Sequence, residues 1–135
     1  MRTDFNPFPS AKFLAMQALY GCAGIAFNLV SIAAAKGPGP LTPTDPLAGI
    51  LAMLVYLAFL WAGLRGRVRV YTWLMFTAII VLGYGGVVTH AWNLLALPSE
   101  PAGYLGFWSL AAALGINLFG LVLNVLGILR GRRAI

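Results

Sequence analysis

Two groups of residues in this 135-residue chain could do chemistry, and both lie within long uncharged stretches. The first is His90 with Asn93, three positions apart and so neighbours on one helix face, with Trp92 beside them. His90 is the only histidine, and because imidazole titrates near neutral pH it could hold a ligand or carry a proton. The second group is the amides Gln17, Asn28, Asn117 and Asn124, all in apolar surroundings. In hydrocarbon each amide needs a partner, and interhelical hydrogen bonds of about 0.6 kcal/mol apiece would make them structural glue. The sharper reading is a polar site inside a helical bundle, lined by Asn28, Tyr84, His90, Asn93 and Asn117. Such a site would receive a lipid head group or a small polar solute. The plainer reading of His90 is a hydrogen bond shared with Asn93 at a helix end.

Other chemistry is disfavoured. Zinc needs three or four ligands, and bis-histidine haem needs a second histidine; His90 and distant Cys22 supply neither, so no metal and no cofactor is expected. Cys22 is expected to be a small packing residue. Proton-coupled exporters of this size use a carboxylate within the membrane, and none of the uncharged stretches contains one. Ser31 and Ser109 have no partner pattern for a nucleophile, and H-E-x-x-H is missing, so an enzyme is not expected.

The elements that must carry these residues follow from the charges. No Lys, Arg, Asp or Glu occurs between Lys12 and Lys36, Asp45 and Arg65, Arg69 and Glu100, or Glu100 and Arg130. Each stretch is long enough to cross a bilayer as a helix. With 61% hydrophobic and only 9% charged residues, the chain is expected to be a single all-α membrane domain over 1–135. Helices are predicted over roughly 10–35, 46–64, 68–97 and 100–130. Gly37-Pro38-Gly39-Pro40 ends the first, Asp45 caps the second with Pro46 in its first turn, and Ser99 or Glu100 opens the fourth. The first stretch is longer than a signal-peptide core and is expected to be a retained helix. Short connections predict an up-down four-helix bundle.

Arg2 and Lys12, then Arg65, Arg67 and Arg69, then Arg130, Arg132 and Arg133 all fall on one side. The other side has Lys36 alone. By the positive-inside rule both termini are expected in the cytoplasm, in a bacterial inner membrane. The net charge of +6 is then directed at anionic lipid head groups, contacted by Arg65, Arg67, Arg69, Arg130, Arg132 and Arg133, and not at nucleic acid. Trp61, Tyr71 and Trp73, and at the other end Trp92, Tyr104, Phe107 and Trp108, are expected to form interfacial belts.

Membrane helices associate through small residues and hydrogen bonds. Steps of three and four bring Gln17, Gly21, Gly24 and Asn28 onto one face of the first helix. They align Gly83, Gly86, His90 and Asn93 in the third, and Asn117, Gly120, Asn124 and Gly127 in the fourth. The second helix offers only Gly49, Met53, Tyr56, Leu60 and Gly63 and is expected to be the most peripheral. Three small-residue faces are more than a lone monomer requires. The leading expectation is therefore a non-enzymatic accessory or assembly subunit, or a homo-oligomer. The alternative is a small transporter, channel or lipid-binding protein using the amide and histidine face.

Overall fold

The computed structural model describes residues 8–96 and 103–135. They are all-helical, with no strand among the described residues, and four helices are long and apolar enough to cross a membrane. These are α1 (Ala11–Ala34), α2 (Pro46–Leu64), α3 (Val68–Leu95) and α4 (Phe107–Arg133).

Local chemistry sets most of their ends. Ser10 Oγ accepts from Phe13 N at 3.3 Å to start α1, and Asp45 Oδ1 accepts from Leu47 N at 2.9 Å with Pro46 at the first position of α2, as expected. A Schellman turn closes α2: Gly66 takes φ +66°, its N–H meets Gly63 O, and Arg67 N–H reaches back to Ala62 O at 2.9 Å. That turn brings Arg65 and Arg67 into one tight connection, with Arg69 in the first turn of α3. The fourth helix departs from expectation by starting at Phe107. Before it, Gly103 has φ +80° and lies against Pro43, and Gly106 provides an extended cap whose carbonyl accepts from Ser109 Oγ at 2.9 Å. The expected turn at Leu97–Pro101, with Ser99 and Glu100, lies outside the described residues, as does Arg2.

The middle of α3 is not α-helical. Residues Ile79–Val88 form a π-helix, with each carbonyl bonded five residues on, and Thr89 Oγ1 keeps that register by donating to Tyr84 O at 3.2 Å. Strict 3.6-residue counting through Gly83 and Gly86 therefore does not describe this segment. Gly83 is a loose contact: a Cβ there would come no nearer than 3.8 Å to Leu121.

Glycines set the helix separations. A Cβ on Gly21 would lie 2.6 Å from Leu57, one on Gly24 2.9 Å from Met53, and one on Gly49 2.6 Å from Asn28 Oδ1. Numbers rise along α1 as they fall along α2, so the two run antiparallel. Gly120 meets the ring of Tyr20, Gly127 meets Tyr71 and Met75, and Gly131 meets Thr72, which packs α4 antiparallel to both α1 and α3. The expectation for α2 is overturned. It packs on α1 along its length, and Met53, Tyr56 and Leu60 are buried in the core. Large side chains on α2 fill the gaps that α1 leaves at its glycines, so a helix poor in small residues is central for that very reason.

All four tryptophans face outward, with Trp73 and Trp92 the most exposed. Tyr71 and Tyr104, expected in the same belts, turn inward instead. Cys22 is exposed, not a packing residue.

Candidate functional site

A polar core joins all four helices toward the arginine end. Gln17 on α1 accepts from the Tyr71 hydroxyl of α3 at 2.6 Å and donates through Nε2 to Asn124 Oδ1 of α4 at 3.3 Å and to Met75 Sδ at 3.0 Å. Tyr56 of α2 donates to the same Asn124 Oδ1 at 2.8 Å. Gln17, Tyr56, Tyr71 and Asn124 are almost fully buried, and no buried polar side-chain atom among the described residues lacks a partner. Gln17 and Asn124, expected on helix-packing faces, are the buried amides of this network. The tyrosines that complete the network carry no periodic signal of their own, since periodicity marks small and amide residues and Tyr56 and Tyr71 suit bulk packing or an interfacial belt.

One step toward the other end, the helices part around a cavity of about 240 Å³. Asn28, His90 and Asn117 all line it, so three of the five expected site residues converge. The cavity has a simple origin: Gly24, Gly49, Gly85 and Gly86 contribute no side chains to its wall. Asn28 and Asn117 are held alike. Each donates its amide N–H to the carbonyl four residues back, Gly24 O and Ala113 O, both at 2.8 Å. Each lays its amide group against a glycine of the adjacent helix, Asn28 on Gly49 and Asn117 on Gly86. One N–H of each amide is thus used within its own helix, while its Oδ1 lies against the neighbouring glycine and the second N–H remains available. Asn117 Oδ1 also lies 3.5 Å from the Tyr20 hydroxyl, which links cavity and polar core.

His90 is buried at 4% exposure, and its Nδ1 lies 2.6 Å from the Tyr104 hydroxyl. Asn93 Nδ2 donates to the same hydroxyl at 3.0 Å. His90 and Asn93 thus meet through the Tyr104 hydroxyl and not by a bond between themselves, and the histidine borders the cavity. Asn93 does not line it. Tyr84 is 72% exposed on the outer surface, because it lies two positions from Gly86 and residues so spaced do not share a helix face.

Three further polar residues line the cavity, Thr42, Thr44 and Asp45. They come from the Gly-Pro connection, which folds back over α1 when Leu41 N donates to Ser31 Oγ at 3.0 Å. Leu41 and Thr42 are buried there, and the Thr42 and Thr44 hydroxyls bond each other at 2.8 Å. The signal available in the sequence was a cluster of hydroxyls and one carboxylate beside a helix cap. Among the described residues no cluster of His, Cys, Asp and Glu could hold a metal ion.

The bridge to Tyr104 makes a direct prediction. Tyr104→Phe leaves His90 Nδ1 and Asn93 Nδ2 without this partner, and should destabilise the protein by about 1–2 kcal/mol. A thermal melt in detergent checks it; an unchanged melting temperature would show that the bridge contributes nothing.

The chain matches no protein-family model, no curated protein and no solved structure.

Proposed function

We propose that this integral membrane protein is a non-enzymatic solute-binding protein or small transporter. In this reading it is an up-down four-helix bundle in the cytoplasmic membrane, with both termini and the Arg65–Arg69 connection cytoplasmic and the cavity opening toward the outer side. The antiparallel contacts and the one-sided arginines support that orientation.

The observation that carries the reading is the lining of the cavity. Its polar groups are the two asparagines, His90, Thr42, Thr44 and the Asp45 carboxylate, with no Lys or Arg among them. Amide oxygens and a carboxylate accept hydrogen bonds, so the site suits a small hydrogen-bond donor or amine and opposes a phosphate or carboxylate. The apolar remainder, including Phe27, Ala52, Met53 and Ile116, suits a short hydrocarbon portion of the same ligand.

The test is binding of ethanolamine and propylamine, against acetate and phosphate, to purified protein by thermal shift and isothermal titration. The amines should bind and the anions should not. Asn28→Leu and Asn117→Leu should each weaken amine binding about tenfold, because each removes a hydrogen bond of about 1.5 kcal/mol to a charged group. Variants that lose stability while keeping the same affinity would sink the reading.

The accessory-subunit expectation rested on a surplus of small-residue faces. Gly21, Gly24, Gly120, Gly127 and Gly131 are covered by side chains of the same chain, so that surplus no longer argues for a partner. A stoichiometric protein co-migrating on blue-native gels after mild extraction would restore it.

A further inference from the structure

We propose that the groove between α3 and α4 at the arginine end is a discrete site for one anionic phospholipid. The phosphate would sit between Arg69 and Arg132, with an acyl chain lying along Trp73, Phe76 and Ile128. This site is separate from the cavity above and does not depend on how that cavity is read.

The groove encloses about 380 Å³ and is lined by both arginines and these three apolar residues. Arg69 is the second residue of α3 and Arg132 the second-last of α4, so two helices bring guanidinium groups to the same level at the helix ends. Phe76 lies seven residues inward from Arg69, ~10 Å at 1.5 Å per residue, and Ile128 four inward from Arg132, ~6 Å. Cationic mouth and apolar wall follow one another in the order of a lipid head group and its chain. Trp73 is 70% and Phe76 48% exposed, so the wall is open to an occupant.

Other arginines are engaged differently. The Arg65 guanidinium lies 4.4 Å from the centre of the Trp61 ring, and that of Arg130 lies 5.5 Å from the Phe13 ring. The only acidic side chain among the described residues, Asp45, caps α2 at the opposite end. No described acidic side chain therefore competes for Arg69 and Arg132. Free phosphate would satisfy the charges and leave the apolar wall uncovered, and a zwitterionic lipid would bring an ammonium group to a cationic mouth. Basic pockets between membrane helices at the cytoplasmic surface are suited to anionic head groups on these grounds.

The experiment is native mass spectrometry of the full chain, delipidated in detergent and titrated separately with phosphatidylglycerol, phosphatidylcholine and inorganic phosphate. Phosphatidylglycerol should bind as one adduct per chain, phosphatidylcholine at least tenfold more weakly, and millimolar phosphate should not displace the lipid. R69Q/R132Q should weaken phosphatidylglycerol binding about thirtyfold. The charge-matched R65Q/R133Q should stay within about threefold of the parent. Phe76→Ala keeps both arginines and should still weaken binding about threefold or more, which gives a second readout if the arginine variant folds poorly. Equal losses in the two arginine pairs would reduce the site to diffuse charge, and equal binding of phosphatidylcholine or full displacement by phosphate would overturn it.

Discussion

Replacing Gly120 with leucine should collapse the contact between α1 and α4 and destabilise the protein by about 3 kcal/mol, the upper end of overpacking costs. A Cβ at this position falls onto the ring of Tyr20. The ring cannot move aside easily. It is 1% exposed, stacks edge-on against Tyr56 with centroids 5.1 Å apart, and has its hydroxyl beside Asn117. Gly115, on the same helix, meets nothing within 4 Å, so Gly115→Leu should change stability by less than about 0.5 kcal/mol. Thermal melts in detergent compare the two. Tyr20→Ala should be costly alone, at about 3–5 kcal/mol, yet recover much of its loss when combined with Gly120→Leu, because the new side chain fills the space vacated. Equal losses at positions 115 and 120, or additive losses in the double variant, would contradict this packing.

Asn124→Leu should cost about 2–4 kcal/mol, the next largest effect. Asn124 Oδ1 accepts from both Tyr56 and Gln17, and the single proton of the Tyr56 hydroxyl is donated here. Stranding a buried hydroxyl costs about 1–3 kcal/mol, with a smaller loss at Gln17, whose amide keeps Met75 Sδ. Leucine has nearly the shape of asparagine, so little of the loss comes from packing. The decisive comparison is Asn124→Leu with Tyr56→Phe. Removing both partners leaves no stranded hydroxyl, and the double variant should be more stable than Asn124→Leu alone by about 1 kcal/mol or more. A double variant no better than the single one would show that the hydroxyl bond contributes little.

The extent to which the fold could be read beforehand depends on the range of the forces involved. Asp45-Pro46 as a helix start, the break at Gly37–Pro40 and the arginine-rich connection are local, set by residues within one turn, and each appears where periodicity and capping place it. Gly21, Gly24, Gly120 and Gly127 stand out in the sequence because close approach needs a missing side chain, whatever lies opposite. What lies opposite could not be read. Tyr20 on Gly120 and Met53 on Gly24 are pairings between helices, and they explain why α2, poor in glycine, belongs to the core. The start of α4 at Phe107 and the π-helix at Ile79–Val88 were equally hidden, since apolar residues there suit either helical geometry.

The candidate site divides along the same line. Asn28, His90 and Asn117 were conspicuous as polar groups in apolar stretches, and the structure places them around one cavity. Tyr84 shared only their composition and turns outward; Thr42, Thr44 and Asp45 join them because a connecting segment folds back over α1. Tyr71 and Tyr104 show the limit most directly. Both lie near helix ends where a ring would suit a lipid interface, yet each hydroxyl finds a buried polar partner within 2.6 Å, Gln17 in one case and His90 in the other. Four apolar helices with charge at their ends are legible in the residues alone, because charge is costly in hydrocarbon at each position separately. Which amides bind one another and which face a cavity emerges only from the packed helices, because a hydrogen bond between helices depends on where both helices stand.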